Sequence, residues 1–522
     1  MAPGTDWGFH YVGWEFFRRS ELVAYPLGAI PGLMFPAGTT IGFTDGIPWL
    51  ALPLRLLSPL LPATFQYIGL WLAACFALNG WFGARLTQAI APRLGAMGVA
   101  VGGALFVVSP LVILHLRHEA LCAHFLVIAA IVMHVRTPRW WAPVVLCAVA
   151  AGVHPYLAAM VAVLSAAAVV RWWRARSAVA GLVGIAAVCV GFGLWLGYFG
   201  PGRDVEAIGF GVYRADLSAF VSPRGNSWIF PSLPERWAVG EEGYLGLGWL
   251  LFVVSALAFA ARAARLRWRS VVPLALVTGL LALYAVSPRI TLFGVELVDL
   301  SGLYDHLPFV VGPFRANGRF LWPLAYLLVA GALALWLRGR PRAAPWVMAA
   351  AIVLQLVEAK GLIHVARYVK RWPVPPSSPA WELARGDYDH LAMVPPRCAD
   401  ASHTCCGDFT PRPYNEDQYL AVRTARLGLT LNGGGVARAD RGPLVAGCTV
   451  LIASIAHAQL DPRTIYYVAP GHYLWFRVQN PRAPCMLLDG ELACVSPDAR
   501  GPFRDHLAAG GRRRMRQGTV NP

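Results

Sequence analysis

Ionisable side chains gather in a few short stretches of a chain that is otherwise apolar and aromatic. These stretches hold Asp6, Asp45, Arg117-His118-Glu119, His154, Arg315 and Arg319. Carboxylates beside arginines at a membrane surface can bind an anionic lipid headgroup and take a proton from a hydroxyl. The alternative is that each charged side chain only keeps its loop exposed to water. This explanation accounts less well for the whole group than for any one residue.

Spacing adds detail to three of these stretches. Arg315 and Arg319 are four apart, so on a helix they share a face and can hold one phosphate together. Arg117-His118-Glu119 joins two apolar segments with almost no loop, which predicts three ionisable groups at a membrane edge. His154 precedes Pro155 and either caps a broken helix or contacts a substrate.

Familiar catalytic signatures are missing from the sequence. His118-Glu119 begins like an HExxH zinc motif, but position 122 is Cys, and His124 falls on another helical face. Gly433-Gly434-Gly435 lacks the lysine of a phosphate loop and is interpreted as a turn. No metal ligand is therefore assigned, although the sequence leaves a need for a divalent cation open.

Composition indicates a polytopic helical membrane protein. The 522 residues are 57% hydrophobic and 14% charged, whereas a soluble globular chain is about 25% charged. The net charge of +17 comes almost entirely from arginine, because only Lys360 and Lys370 are lysines. No basic stripe with interleaved aromatics occurs, so nucleic acid is not an expected partner.

Three regions are predicted. Residues 1–62 are broken by prolines and charges and are expected to form a first outer loop with interfacial helices. Residues 63–370 are expected to form a transmembrane helical core, and residues 371–522 a small extracytoplasmic α/β domain. About ten spans are expected in the core, at roughly 64–83, 96–115, 119–135, 141–153, 155–172, 178–199, 243–262, 270–287, 320–338 and 345–365.

Arginines predict the orientation of these spans. If 141–172 forms a hairpin broken at His154-Pro155, five arginine clusters lie on one side, which is the cytoplasm by the positive-inside rule. A single long span there would separate the clusters, so the hairpin is favoured. The termini and the loops 200–242 and 288–319 then lie outside a multi-pass plasma membrane protein.

The last region is expected to contain disulfides. Six of the ten cysteines lie there, namely Cys398, Cys405, Cys406, Cys448, Cys485 and Cys494, and none forms a pair with zinc-ligand spacing. Strands are predicted at 390–394, 427–431, 464–468 and 473–478, helices at about 416–427 and 447–458, and a disordered basic tail at 512–516.

Cys485 and Cys494 are the one pair that the sequence assigns. Asp489-Gly490 between them is a strong signal for a two-residue hairpin turn. Counting outward from that turn places the two cysteines opposite each other, with Cα atoms about 4.5 Å apart. That separation is within reach of a disulfide, while the pairing of the other four stays open.

Several longer runs resemble an uncharacterised bacterial membrane family of the GT-C-type glycosyltransferase superfamily. The runs are Asp6–Arg18, Tyr25–Gly28, Phe43–Pro48, Ser58–Pro62, Phe65–Tyr67, Arg117–Leu121, His154–Tyr156, Tyr244–Gly248 and Phe314–Phe320. The resemblance extends over nearly the whole chain. The family pattern places a transmembrane helix before the first of these runs, and this sequence begins at Met1 without one.

The resemblance implies an inverting glycosyltransferase that takes a sugar from a polyprenyl-phosphate carrier. Asp6 matches the usual catalytic acid of the first outer loop, with Asp45 as a second acid. Arg315 and Arg319, helped by Arg117, would hold the donor phosphate. His118 and His154 would contact donor or acceptor, an envelope glycan, lipid or protein. Membrane lipid is the other expected partner.

Two other classes of function remain as alternatives. A lipid or polysaccharide transporter would place ionisable residues near the bilayer midplane and often shows two matching halves. Neither feature is clear in the sequence. A non-catalytic envelope scaffold would tolerate the loss of every outer acid.

Overall fold

A computed structural model of the protein describes residues 6–22, 24–136, 139–172, 175–199, 210–230, 243–259, 268–359, 378–396 and 417–516. The chain divides into two compact units. Unit 1 comprises Met1–Gln66, Leu194–Asp204 and Val369–Pro522. Unit 2 comprises Tyr67–Gly193 and Val205–Tyr368.

The α-helices of the described ranges are numbered in chain order. They are α1 (Asp6–Phe17), α2 (Pro48–Leu56), α3 (Ile68–Ile90), α4 (Ala96–Val107), α5 (Pro110–Leu114), α6 (Phe125–Val135), α7 (Ala142–Ala151), α8 (Pro155–Trp172), α9 (Ala175–Leu196), α10 (Gly246–Ala256), α11 (Trp268–Val286), α12 (Ser301–Tyr304), α13 (Pro308–Val311), α14 (Trp322–Gly339), α15 (Ala344–Glu358), α16 (Asp417–Leu427), α17 (Arg441–Ala456), α18 (Tyr473–Gln479) and α19 (Pro502–Arg516).

The strands are short. They are β1 (Ala29–Ile30), β2 (Thr39–Thr40), β3 (Arg289–Leu292), β4 (Val295–Asp299), β5 (His390–Val394), β6 (Thr430–Leu431), β7 (Thr464–Val468), β8 (Cys485–Leu488) and β9 (Glu491–Val495).

Unit 2 is built from apolar helices. Each of the ten segments predicted as spans overlaps an apolar helix. Four helical segments of the described chain are long and apolar enough to cross a membrane, and they are Ala96–Leu114, Pro155–Trp172, Arg176–Leu196 and Asn317–Gly339. The predicted break at His154-Pro155 is present, because α7 ends at Ala151 and α8 begins at Pro155. Proline suits the first turn of a helix, where its missing N–H has no intrahelical partner.

Unit 1 contains a five-stranded mixed sheet in the order β6-β5-β7-β9-β8. β5 is parallel to β6 and β7, while β9 is antiparallel to β7 and β8. The predicted hairpin is present: Asp489 and Gly490 both have positive φ, at 52° and 93°. Cys485 lies opposite Cys494, and the two form a disulfide with Cα atoms 4.2 Å apart.

Two local predictions for this region were wrong. Residues 473–478 form helix α18 rather than a strand, because Phe476 is fully buried and packs on Tyr466 of β7, with ring centroids 5.8 Å apart. The basic stretch 512–516 was expected to be a disordered tail, but α19 continues through it to Arg516. Cys398, Cys405 and Cys406 lie outside the described residues.

The first segment of the chain belongs to the same unit as this sheet. Leu33 pairs in parallel with Leu431 beside β6. Leu431 N–H donates to Gly32 O at 2.8 Å, and Phe35 N–H donates to Leu431 O at 2.8 Å. Residues 1–62 were expected to form a first outer loop with interfacial helices, and Leu33 of this segment pairs at the edge of the C-terminal sheet.

Candidate functional site

The first turns of α1 place two ionisable groups on one face. Asp6 is the first residue of the helix, and His10 follows four positions later, a spacing that makes them neighbours on a helix surface. His10 is buried, and its Nε2 lies 3.3 Å from Asp45 Oδ2. Unit 1 thus places the imidazole of His10 beside the carboxylate of Asp45.

Asp45 owes its position to a local turn. The 3₁₀ helix Ile41–Thr44 ends at Asp45, which has a left-handed φ of 52° and whose N–H bonds back to Ile41 O. Aspartate tolerates this conformation better than most residues do. The turn points the carboxylate toward His10, and only 17% of that side chain is exposed.

Tyr198 also belongs to unit 1 and lies beside this turn. Its ring packs edge-on against Phe43, with centroids 5.4 Å apart. A Cβ on Gly42 would clash with its hydroxyl oxygen, so only glycine leaves room for the ring. Burial raises the pKa of Tyr198, and the charge of Asp45 raises it further. The hydroxyl is buried and has no hydrogen-bond partner among the described residues.

A buried ion cluster fixes the other end of α1. The Glu15 side chain is fully buried, and its Oε2 lies 2.7 Å from Arg19 Nη1 and 3.3 Å from Arg426 Nε on α16. Arg426 also donates to the Tyr11 hydroxyl at 3.2 Å. Burial, followed by the charge of Glu15, raises the pKa of Tyr11 to about 12. This cluster holds the helix that carries Asp6 and His10.

Arg319, in unit 2, is held by an aromatic ring. Its guanidinium carbon lies 5.0 Å from the ring centroid of Tyr156 on α8, a cation–π distance. The Tyr156 hydroxyl accepts the Ala316 N–H at 2.8 Å. His154 Nδ1 accepts the Tyr156 N–H at 3.2 Å, which is the helix-capping role considered for it. Tyr156 therefore brings His154 and Arg319 together.

Arg315 does not share a helical face with Arg319. The 3₁₀ helix Asn317–Leu321 contains Arg319 but begins after Arg315. A spacing of four residues therefore does not place the two arginines on one helical face. Arg315 is exposed and stacks on a different ring, that of Tyr213, at 5.6 Å. The two cations are presented by separate aromatic supports.

Arg117 and His118 lie in the short turn between α5 and the 3₁₀ helix Glu119–Cys122. Arg117 is exposed, His118 is half-buried and Glu119 is buried. The backbone carbonyl of Glu119 accepts the Trp71 indole N–H at 2.8 Å. The tight turn at this point agrees with the expected absence of a loop.

A further polar network in unit 2 was not expected from the sequence. The Tyr326 hydroxyl lies 2.8 Å from both Ser109 Oγ and His124 Nδ1. His124 is fully buried, and its Nε2 has no hydrogen-bond partner among the described residues. Tyr326 lies 217 and 202 positions from Ser109 and His124, so no spacing rule could have grouped the three.

The expected site residues fall in both units. Asp6 and Asp45 belong to unit 1, and Arg117, His118, His154, Arg315 and Arg319 belong to unit 2. A single cavity shared by the acids and the arginines therefore stays a prediction. His10 and Tyr198 were given no role from the sequence. Both residues lie beside the turn at Asp45, which follows His10 by 35 positions and precedes Tyr198 by 153, so the sequence alone does not group them.

The residues of unit 1 define what its site can do. A neutral imidazole paired with a carboxylate can take a proton from a hydroxyl, because the carboxylate stabilises the imidazolium that forms. Imidazole nitrogen and carboxylate oxygen are also donors that suit divalent transition metals. His10 and Asp45 are thus the pair in this unit that could ligate a cation.

Comparison with known families gives two matches. Residues 1–360 match the family model described as domain of unknown function (DUF6311). Residues 380–496 match the model described as the DUF6311 C-terminal domain. No curated protein and no solved structure matches the chain.

Proposed function

The chain belongs to the DUF6311 family, and we propose that it is a glycosyltransferase of the bacterial plasma membrane. In this proposal a sugar passes from a polyprenyl-phosphate donor to a hydroxyl of an envelope glycan, lipid or protein. The observation that carries the proposal is the buried pair His10–Asp45, with Nε2 and Oδ2 3.3 Å apart.

The pair supplies the proton acceptor that such a transfer requires. As the acceptor oxygen attacks the anomeric carbon, its proton passes to His10, and Asp45 stabilises the resulting imidazolium. The bond from the anomeric carbon to the donor phosphate breaks, and the phosphate leaves as an anion. Asp6, one turn before His10, is placed to orient the acceptor. The proposal thus gives His10 the role of base that the resemblance assigned to Asp6.

The arginines of unit 2 support the donor half of the proposal. A leaving phosphate gains charge, which guanidinium groups stabilise through charge-assisted hydrogen bonds. Arg319 on Tyr156 and Arg315 on Tyr213 are cations with rigid aromatic supports. Four helical segments of membrane-spanning length suit a carrier that is itself a lipid.

The test is an assay of the full chain in nanodiscs with lipid-linked sugars extracted from the source membranes. His10→Gln and Asp45→Asn should each lower transfer by about 100-fold or more, the typical contribution of a general base. His457→Gln is the matched control, because His457 is exposed at the end of α17. Full activity of both site variants would reject the proposed base. A chelator series in the same assay decides whether a divalent cation is needed.

A transporter is the second class of function to compare. Its best support is the buried network of Ser109, His124 and Tyr326. His124 immediately precedes α6, and Tyr326 lies near the middle of the membrane-length segment Asn317–Gly339. Transporter sites favour interrupted helices at the membrane midplane, so this placement keeps a transporter as the second candidate. A scaffold would keep its envelope phenotype in the His10→Gln strain, and a transferase would not.

A further inference from the structure

An apolar hairpin projects from unit 2 between α11 and α12. β3 and β4 pair from Arg289 opposite Asp299 to Leu292 opposite Val295. Every residue of β4 is exposed, and Phe293 at the tip is 53% exposed. A two-stranded ribbon with exposed apolar side chains is marginal in water. The hairpin therefore needs an apolar surrounding.

The helix before the hairpin exposes the same kind of surface. Val272, Leu276, Leu280 and Leu283 of α11 are all exposed, and their spacing of four, four and three places them on one helical face. Only Ser287-Pro288 separates the end of α11 from β3. The exposed stripe of the helix and the exposed hairpin thus follow each other directly along the chain.

The tip of the hairpin has its polar backbone groups satisfied from within the protein. Asp216 Oδ1 accepts the N–H of Phe293 at 3.0 Å, and Oδ2 accepts the N–H of Gly294 at 3.1 Å. Ser218 N–H also donates to Asp216 Oδ1, at 2.7 Å. Burial would raise the pKa of Asp216, but the hydrogen bonds from Ser218, Thr291 and Gly294 lower it below its ordinary value.

This capping matters because an unsatisfied amide in hydrocarbon costs several kcal/mol. A turn exposed to water needs no buried carboxylate to bind its two N–H groups. A turn that leaves water does, since the bilayer offers no replacement partner. The bonds from Asp216 thus fit a tip placed in an apolar phase.

The polar residues of the hairpin set how deep it can lie. Arg289 and Asp299 form an ion pair at its base, at 3.5 Å, and Glu296 is an exposed carboxylate on β4. These charges exclude the bilayer centre. An element with an apolar side and a charged base fits the boundary between headgroups and acyl chains, about 5–10 Å deep.

We propose that the hairpin 289–299 is a lipid-contacting element, with Leu292, Phe293, Val295 and Leu297 in the outer boundary layer of the bilayer and Arg289–Asp299 at the headgroups. Its partner is the acyl-chain surface of membrane lipid. The inference does not rest on the proposed transferase activity. A second copy of the chain is the competing occupant.

Spin-label accessibility in nanodiscs that hold one copy of the full chain tests this. Val295→Cys places the label on β4, and Leu297→Cys is a second reporter on the same strand. Val478→Cys is the matched control, because Val478 is a similarly exposed valine of α18 in unit 1. Unsubstituted protein carried through the labelling corrects for native cysteines.

For each label we compare the rate of collision with oxygen to the rate of collision with a water-soluble nickel chelate. We expect this ratio to be several-fold higher at Val295 and Leu297 than at Val478. Labels at 295 and 297 as accessible to the chelate as the one at 478 would overturn the proposal. Protection that occurs only in discs holding two copies would overturn it as well, in favour of self-association.

Discussion

Glu15 on α1 and Arg426 on α16 form an ion pair at 3.3 Å across 411 residues of sequence. Burial alone would lower the pKa of Arg426, but the charge of Glu15 and the contacts with Tyr11 raise it above its ordinary value. The pair thus ties the helix of the proposed base to the C-terminal part of the chain. Activity and the stability of unit 1 should depend on the same contacts.

Replacing Glu15 should destabilise unit 1 strongly. Glu15→Gln leaves Arg19 and Arg426 without their anion, and breaking a fully buried pair typically costs about 3–5 kcal/mol. Because the two arginine side chains are 28% and 35% exposed, we expect a loss below that range but above that of an exposed pair. Thermal unfolding of the purified protein measures the loss. Glu382→Gln removes an exposed pair with Arg385 at 2.9 Å, worth about 0–1 kcal/mol. Equal shifts in the two variants would contradict the structural role given to Glu15.

Asp389 should make unit 1 sensitive to acid. Its side chain forms two hydrogen bonds with Arg463, and this contact lowers the pKa of Asp389. A lowered folded-state pKa contributes stability above the unfolded value of about 3.9, and that contribution is lost as the pH falls through the folded value. Asp389→Asn should therefore flatten the decline of stability below about pH 5.

Arg463→Gln should flatten the same decline, because it removes the partner that shifts Asp389. Chemical unfolding followed between pH 3 and pH 7 compares the variants with the unsubstituted protein. A steep acid transition that persists in both variants would place the responsible carboxylate elsewhere.

Arg319 should act on donor binding more than on turnover. Arg319→Ala removes a charge-assisted contact worth about 1.5–3 kcal/mol, or roughly 10- to 150-fold in KM for the lipid-linked donor. Tyr156→Phe keeps the ring under the guanidinium and should have a smaller effect. Arg338→Ala, at the end of α14, is the control. An unchanged donor KM in Arg319→Ala would remove this residue from the proposed site.

The three chain segments that make up unit 1 lead to a prediction of membrane topology. Its segments Met1–Gln66, Leu194–Asp204 and Val369–Pro522 form one compact body, which cannot lie on both sides of a bilayer. If the apolar helices of unit 2 span a membrane, we therefore expect an even number of crossings between the first two segments and between the last two. Of the four described segments that are long and apolar enough to cross a membrane, three fall mainly in the first interval and one in the second.

Both of these numbers are odd, so we expect some of the shorter apolar helices to cross as well. The predicted set of six and four spans meets the requirement, whereas a single span over 141–172 would give five. Reporter fusions after Gln66, Pro201 and Val369 should all report the outer side, and a fusion after Arg93 the inner side. A fusion after Pro201 active only in the cytoplasm would contradict the even numbers.

Local features of the fold were predictable from the sequence. The Cys485–Cys494 disulfide follows from a two-residue turn and a register counted over four pairs, so every determinant lies within ten residues. β5 and β7 were also predicted at their observed bounds, because their apolar runs are short and flanked by polar residues.

Features that depend on distant residues were not predictable. Tyr473–Gln479 has the composition of a strand, but packing of Phe476 on Tyr466 favours a helix. The edge pairing of Leu33 with Leu431 has no signal in either segment alone. For the same reason Asp45 was predicted as a site residue from the sequence, but its pairing with His10 is visible only in the structure, where the turn after Ile41–Thr44 directs the carboxylate toward the imidazole.

The pairing of Leu33 with Leu431 also sets an order of events during synthesis. Leu431 leaves the ribosome about 400 residues after Leu33, a delay of roughly 20–80 s at about 5–20 residues per second. Through that interval the apolar helix α1 has no α16 to pack against. The segment bearing His10 and Asp45 is then completed only by the last fifth of the chain, so a product that stops early should lack a finished site as well as a domain.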